Sequence, residues 1–322
     1  MRSLLAGIAA AALATALLAL AGAAFGHSPL ELLATLVRGS VGSRFALEGT
    51  LLKTVPLLLT GLSVAVAFRA GAWNIGAEGQ FLVGALAALL ASRFGSIAAL
   101  LAAIAAGAAW ASIASLMRVW RNAPEVLTTI LLNFVAIHLL GWAVNGPLQE
   151  ASGKYPQSDA VPPSSALPPL GGTALHAGVV IAPLVAVAIW YLLYRTSEGL
   201  RLRATGFNPF AARWAGVDVD AQLVRAMALS GGAAGLAGGI ELLGVTQRLF
   251  ERFASGYGYS GIAVALLAQL HPLATIASAL FFGALVTGAG ELQRSANVSA
   301  TVATFGQAVV ILAVIAIQRR GR

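Results

Sequence analysis

Nearly charge-free apolar stretches recur ten times along this sequence. The hydrocarbon core of a bilayer is about 30 Å thick and offers no water to the backbone, so apolar stretches at this scale indicate helices. The sequence therefore predicts an all-α integral membrane protein, a single domain over 1–322 formed by a polytopic bundle of about ten transmembrane helices, several of them short or broken. The predicted crossings lie near 3–25, 48–68, 79–93, 96–117, 125–146, 175–194, 225–246, 258–270, 272–290 and 299–317.

The composition excludes an ordinary soluble domain. Charged residues make up 10% of the chain, whereas a soluble globular domain carries about a quarter, and hydrophobic residues make up 58%. The 36 glycines suit helices that pack backbone to backbone, because lipid supplies no hydrophobic drive for helix association. The chain has no cysteine, which excludes disulfides and thiolate nucleophiles.

Two details of the apolar stretches need interpretation. The first stretch could be a secretory signal, but it is longer than the 7–15 residue core of such signals, so we interpret it as an uncleaved first helix. The uncharged run 253–290 is too long for one crossing. His271-Pro272 divides it, because proline disfavours helix at the residue before it.

The cationic residues predict the orientation of the bundle. Ten crossings place both termini on one side, and with that side cytoplasmic, more than half of the 20 Lys and Arg face the cytoplasm. The cluster at 319–322 agrees. A Pro-, Ser- and Gly-rich loop, about 146–174, then lies outside without regular structure, and an arginine-rich loop, about 195–225, lies inside. A nucleic-acid partner is not needed to explain the positive charge.

The inner loop contains a short helix with clear boundaries. Asn208 can cap its first N–H groups, Pro209 fits its first turn, and Gly216 suits a left-handed exit. Phe210, Arg213 and Trp214 share one face at helical spacing, as the sequence shows. The face either lies in the lipid headgroups or docks onto a cytoplasmic protein.

Four motifs together resemble one family. They are FRAGAWNIGAEGQ (68–80), EVLTTILLN (125–133), RATGFNPFAARWAGV (203–217) and GYGYSGIAVALL (256–267). The set is similar to the permease subunits of ATP-binding-cassette importers of the ribose, simple-sugar and nucleoside group, and most to the guanosine/uridine-type nucleoside permeases. The resemblance covers about 45–320. The family tends to an acidic residue where this chain has Ser260, which puts a role for that position in doubt.

The resemblance implies an importer of nucleosides in a bacterial plasma membrane. It implies a second permease subunit, identical or homologous, two cytoplasmic ATP-hydrolysing subunits and an extracytoplasmic substrate-binding protein. The loop around Asn208, Phe210, Arg213 and Trp214 would dock on the ATP-hydrolysing subunit. This sequence has no phosphate-binding loop, since its Gly153-Lys154 pair is followed by Tyr155, so Mg-ATP would belong to the partner and this chain would hold no cofactor or metal.

Polar residues within apolar segments are candidates for the translocation path. Asn74, Glu78 and Gln80 lie in or beside a glycine-rich stretch, 71–79, that could break a helix and line a cavity. Alternatively, Glu78 pairs with Arg69 in a cytoplasmic turn.

Four further candidates lie in later segments. Asn133 could contact a sugar hydroxyl or a base edge, or bond a neighbouring helix. Tyr257 and Tyr259 could stack on a flat base or belong to the interfacial aromatic belt. We expect Glu241 either to contact substrate or to reach the lipid headgroups.

The chain has no catalytic constellation, so we expect no enzyme activity: its four histidines are scattered and no serine lies in a nucleophile elbow. A permease for ribose-like sugars is the alternative within the resemblance. An ion-coupled secondary transporter is the alternative from another class, and it would need acidic residues at the midplane, a requirement that only Glu241 and Glu78 approach.

Overall fold

The computed structural model describes residues 28–253 and 255–296, and this part of the chain is helical throughout its regular structure. It contains eleven α-helices and no β-strand. The helices are α1 (Pro29–Val41), α2 (Arg44–Arg69), α3 (Ala77–Ala91), α4 (Ser96–Arg121), α5 (Glu125–Asn145), α6 (Gly178–Arg195), α7 (Ser197–Phe207), α8 (Pro209–Trp214), α9 (Val219–Glu241), α10 (Tyr257–Leu267) and α11 (Pro272–Ala296).

Six of these helices are long and apolar enough to cross a membrane: α2, α4, α5, α6, α11, and α9 with the π-helical turn Leu242–Thr246 that continues it. The stretches 79–93 and 258–270, also predicted as crossings, form the shorter helices α3 and α10, which are not among these six candidate spans. The crossings predicted at 3–25 and 299–317 lie outside the described residues. The chain is therefore a multi-pass helical membrane protein with six candidate spans in its described part.

Helices α2 and α9 form the centre of the bundle. Both are buried on every side over much of their length, as expected for helices that are apolar or small-residue-rich all round. Helix α9 packs on α2, α3 and α4. An added Cβ at Gly235 would overlap the Ala103 carbonyl oxygen of α4, and one at Gly84 of α3 would overlap the Gly235 backbone. The glycines thus let three helix backbones approach within direct contact.

The break predicted at His271-Pro272 is confirmed. Helix α10 ends at Leu267 and α11 begins at Pro272. The two residues before His271, Gln269 and Leu270, have left-handed φ angles of 52° and 58°. Such a turn reverses the chain and leaves α10 only 11 residues long.

The sequence interpretation missed two helices and one boundary. It did not predict α1 or α7, and it placed the start of α9 at 225 rather than at Val219. Helix α7 begins where the Thr196 hydroxyl accepts the Gly199 N–H at 3.1 Å, and α9 begins where the Asp218 side chain accepts the Ala221 N–H at 3.0 Å. These capping signals were present in the sequence. The inner loop is therefore mostly helical.

The loop at 146–174 is irregular, as predicted, apart from one 3-10 turn at Pro163–Ser165. It is nevertheless tied to the chain that follows α9. Ser158 N–H donates to the Leu249 carbonyl at 2.7 Å, and Leu167 N–H donates to the Leu243 carbonyl at 3.0 Å. These backbone bonds explain how a proline-rich loop keeps one conformation.

Candidate functional site

The connection between α2 and α3 turns back into the bundle without forming a helix. Within it the Asn74 side chain donates to the Ser230 hydroxyl at 2.8 Å, and Ser230 donates to the Ser63 carbonyl of α2 at 2.7 Å. Ser63 lies six residues before the end of α2, which corresponds to about 9 Å along the helix axis. Residues 70–76, called the re-entrant segment below, therefore reach into the bundle beside α2 and α9. Non-helical backbone at such depth is tolerated only where protein or a cavity surrounds it.

Asn74 and Gln80, two of the predicted path residues, form a reciprocal amide pair. Each side-chain NH₂ donates to the other's oxygen at 2.9 Å. Asn74 Oδ1 also accepts the Gly76 N–H at 2.8 Å, and both side chains are buried. The pair thus fixes the re-entrant segment to the first turn of α3.

Asn133 lies next to this pair and completes the support of the segment. Its Oδ1 accepts the Gly79 N–H at 2.8 Å, and its Nδ2 donates to the Ile75 carbonyl at 2.9 Å. The predicted helix-to-helix hydrogen bond is confirmed, because Asn133 joins α5 to the re-entrant segment and α3. Contact with a transported molecule stays a prediction.

Asn133 is the innermost of three polar residues at i, i+4 and i+8 on α5. Thr129 Oγ1 accepts the Ile75 N–H at 3.3 Å, and Glu125 Oε1 accepts the Trp73 N–H at 3.3 Å. Glu125 also pairs with Arg118. Sequence interpretation singled out only Asn133, although the four-residue spacing of the three was a visible sign that one helix face is polar.

Glu78 does not pair with Arg69, so that alternative was wrong. The Glu78 carboxylate instead accepts the N–H groups of Gly256 at 2.9 Å and Gly258 at 2.6 Å, at the start of α10. Arg69 donates to the carbonyls of Gln269 at 2.9 Å and of Leu270 at 3.1 Å, just beyond the end of α10. A negative group at the N-terminus and a positive group at the C-terminus both match the helix dipole.

The two predicted tyrosines occupy different environments. Tyr257 is buried, its ring lies 5.8 Å from that of Phe81, and its hydroxyl accepts from Lys53 Nζ at 2.8 Å. Tyr259 is 43% exposed, and its hydroxyl lies 3.3 Å from Asn133 Nδ2. Of the two, only Tyr259 presents a surface to a passing molecule in this conformation.

Two charged residues, Lys53 and Glu241, lie near Tyr257. Lys53, on α2, was not recognised as a site residue at all. Glu241 is buried near Lys53, close enough for electrostatic attraction, and so does not reach the headgroups as one alternative held. The burial of Glu241 and the contact of Lys53 with Tyr257 depend on how α2, α9 and α10 pack together, which no local pattern shows.

The local structure predicted for the inner helix is confirmed. Asn208 Oδ1 accepts the Ala211 N–H at 3.0 Å, Pro209 occupies the first turn of α8, and Gly216 has a φ of 80°. The rings of Phe210 and Trp214 lie 6.1 Å apart, edge to face.

The outward face of α8 is aromatic and exposed. Phe210 is 72% exposed and Trp214 is 80% exposed. Phe207, the last residue of α7, is 94% exposed and was not included in the sequence interpretation. These three residues form the aromatic patch referred to below. Arg213 lies beside it, 3.4 Å from Asp220.

Comparison with known proteins agrees with these features. The family model described as branched-chain amino acid transport system / permease component matches residues 46–317. The chain is 34% identical to the glucose ABC transporter permease protein TsgB13 of Haloferax volcanii, over 88% of this chain and 80% of that protein. It is 33% identical to the guanosine ABC transporter permease protein NupP of Bacillus subtilis, over 89% and 86%. It is 30% identical to the nucleoside ABC transporter permease protein NupB of Lactococcus lactis, over 83% and 78%. The chain belongs to the family of transport-system permease components that this model describes.

Proposed function

We propose that this chain is the transmembrane permease subunit of an ATP-binding-cassette importer for nucleosides, with ATP hydrolysis on a separate cytoplasmic subunit. The observation that carries the proposal is the aromatic patch, which is formed by the six-residue helix α8 and by Phe207 at the end of α7. A helix of six residues is too short to be stable alone, and its packing here buries only Ala212. Two large exposed aromatic side chains on such an element, with a third at the end of α7, are typical of a docking surface, because exposed apolar patches mark interaction sites.

The partners follow from the family and from the relatives. We propose two ATP-binding subunits that grip the aromatic patch and bind Mg-ATP, a second permease subunit, and a binding protein that delivers substrate from outside. We further propose ten crossings, including 3–25 and 299–317, with both termini cytoplasmic in the plasma membrane of a bacterium. The irregular loop 146–174 then faces the binding protein.

The translocation path is proposed to run along the face formed by α5 and α10. Tyr259 is exposed on this face, and His138 is exposed on a different side of α5, 13 residues into that helix and so about 20 Å from its start. Polar groups at that depth are costly against lipid, so water or a second permease subunit is the expected neighbour. Asn133, Asn74, Glu78, Gln80 and Tyr257 lie behind this face and are proposed to act on the path when the conformation changes.

Nucleosides suit this surface because an aromatic ring can stack on a flat base, and amide groups can bond the base edge or the ribose. Two of the relatives are named as guanosine or nucleoside permeases. A simple sugar is the second candidate, because the relative TsgB13 is named as a glucose permease. The two are distinguished by purifying the cognate binding protein and identifying the small molecule that it retains.

The docking proposal is tested with Trp214→Ala and Phe210→Ala. Removing an anchor residue at the centre of an interface typically costs 2 kcal/mol or more, so we expect each change to weaken binding of the ATP-binding subunit by about 30-fold or more. Binding is measured by titrating the purified subunit onto the permease in nanodiscs. Trp142→Ala is the matched control, because Trp142 is also exposed but lies near the C-terminal end of α5, outside the aromatic patch.

Normal binding by both α8 variants would overturn the docking role and leave the patch as an interfacial anchor. The transport class is tested separately, by uptake into proteoliposomes that contain the complex. Uptake that depends on an ion gradient and proceeds without ATP would favour the secondary transporter instead.

A further inference from the structure

Helix α10 is held at both ends by charged side chains. Its 11 residues span about 16 Å, roughly half of the hydrocarbon core, so the helix is too short to cross the core by itself. Helix ends leave N–H and C=O groups without intrahelical partners. Glu78 supplies acceptors at one end and Arg69 supplies donors just beyond the other. The position of α10 therefore depends on where these two side chains are.

Both of these side chains come from one short stretch of chain, 69–78. The stretch begins with the last residue of α2, continues through the re-entrant segment and ends in the first turn of α3. Its interior is cross-linked by Asn74, Gln80 and Asn133 as described above. Gly258 of α10 also lies so close to Glu78 that an added Cβ would overlap the Glu78 backbone. The stretch and α10 therefore form one mechanical unit.

Helix α7 is in direct backbone contact with this unit on the cytoplasmic side. At Gly206 an added Cβ would overlap the Arg69 carbonyl, and at Gly71 an added Cβ would lie 3.2 Å from Gly206 Cα. Gly206 is the penultimate residue of α7, and only Asn208 separates α7 from α8. A displacement of α8 therefore moves Gly206, and Gly206 in turn displaces the Arg69 backbone.

A second contact route from α7 ends at the same turn. The Arg203 guanidinium lies 4.8 Å from the Tyr194 ring centre, and the Tyr194 ring lies 5.3 Å from that of His271. His271 belongs to the turn between α10 and α11 whose carbonyls Arg69 holds. Two routes from α7 thus converge on the C-terminal end of α10.

The unit also has space beside it. A cavity of about 620 Å³ lies between the re-entrant segment and α8, lined on one side by Gly71 and Trp73 and on the other by Pro209, Arg213 and Asp220. Packed interiors transmit displacement and leave few voids larger than a water molecule. The cavity opens to the surface beside Arg213 and Asp220, which are 65% and 57% exposed, and it leaves room for the segment and α8 to approach each other.

We propose that Gly206 and Arg69 are positioning residues that carry the movement of α8 to α10, an inference that rests on the proposed function. When the ATP-binding subunit displaces α8, Gly206 pushes the Arg69 turn, and the stretch 69–78 moves with α10 attached at both ends. Because Tyr259 lies on α10, the movement changes the polar face that α10 shares with α5. The contact between Gly206 and the Arg69 backbone thereby links transport to ATP binding.

The test uses the complete importer in proteoliposomes, with Gly206→Ala as the first variant. We expect the complex to assemble and hydrolyse ATP within about twofold of the wild type, while uptake of tritiated guanosine falls about tenfold, within the range of ordinary coupling energies. Gly141→Ala is the matched control, because an added Cβ there meets nothing within 4 Å.

A second readout does not depend on knowing the substrate. Hydrogen exchange of the amides at 256–271 is measured with and without ATP. We expect ATP to change exchange there in the wild type and in Gly141→Ala, but not in Gly206→Ala. A purely structural role for Gly206 would alter exchange equally in both conditions and would overturn the proposal.

Arg69 provides the independent variant in case Gly206→Ala fails to fold. Arg69→Gln is expected to lose the ATP-dependent exchange change, and Arg69→Lys, which retains the charge and hydrogen-bond donors, to recover part of it. Arg195→Gln removes an exposed positive charge at the end of α6 and is expected to have no effect. If ATP still changes the hydrogen exchange of these amides in Arg69→Gln, the proposal is wrong. Failure of the wild-type permease to bind any ATP-hydrolysing subunit would instead overturn the proposed function.

Discussion

At the scale of single residues, the buried amides account for most of the local order around the candidate path. A side-chain amide offers two donors and an acceptor with two lone pairs, so one residue can satisfy several backbone groups at once. Asn133 does this for Gly79 and Ile75, and Asn74 does it for Gly76 while pairing with Gln80. In a membrane the alternative is an unpaired polar group, which costs several kcal/mol. These residues therefore determine the shape of the re-entrant segment.

This view predicts a large effect of Asn133→Leu. The change keeps the side-chain size but leaves the Gly79 N–H and the Ile75 carbonyl without partners, so we expect about 1–3 kcal/mol of destabilisation. Denaturant titration of the purified permease in detergent measures it. Asn145→Leu is the control on the same helix, because Asn145 is exposed and bonds only within α5. Equal losses in the two variants would contradict a special role for Asn133.

At the scale of elements, the loop 146–174 shows how a chain without regular structure is held by few polar contacts. Glu150 lies at its start, bonds to Gln157 at 2.7 Å and pairs with Arg248 at 3.2 Å. The Ser152 hydroxyl, the Gln157 amide and the Arg248 charge lower the pKa of Glu150 below its ordinary value of 4.5. The order of the loop is therefore linked to the charge on this carboxylate.

The direction of this shift predicts a pH dependence. Since the folded pKa is below the unfolded one, the stabilising contribution is present above pH 4.5 and is lost as the pH falls through the folded value. We expect hydrogen exchange, corrected for intrinsic rates, at 150–160 to accelerate in that acid range in the wild type. Glu150→Gln should show little change over the same range. A variant as pH-sensitive as the wild type would assign the effect to other carboxylates.

At the scale of the whole molecule, close backbone contact around α9 holds the bundle together. Gly107 of α4 lies against Gly231 and Gly235 of α9, and Gly84 of α3 lies against Gly235. Lipid chains are as apolar as the helix surfaces, so helices gain more from close van der Waals contact than from burial. The small residues of α9 are thus the main reason that α3 and α4 pack on it.

Gly235→Val tests this packing. The new side chain would meet the Ala103 carbonyl and Gly107, and neither can move without shifting a helix, so we expect at least 1–3 kcal/mol of destabilisation. The midpoint of denaturant unfolding measures the loss. Gly141→Val, with open space around the added atoms, should change it little. Similar midpoints for both variants would show that the helices around α9 are not closely packed.

The sequence by itself determined the features that depend on local chemistry. The low charge and apolar runs predicted a helical membrane bundle, His271-Pro272 predicted the break before α11, and Asn208 and Gly216 predicted the limits of the inner helix. Each of these features follows from neighbouring residues alone. The sequence also marked Asn74, Gln80 and Asn133 as unusual, because an amide in an apolar segment must find a partner.

Only the tertiary structure decided which partners Asn74, Gln80 and Asn133 bind. Ser63 and Ser230 have no distinctive sequence signal, and they matter because α2 and α9 meet beside the re-entrant segment. Likewise, Arg69 and Glu78 are close enough in sequence to suggest a pair, yet each caps an opposite end of α10. Charge and spacing along the chain define what a residue can bind. Which group it does bind depends on contacts between segments about 180 to 200 residues apart, and these exist only in the folded bundle.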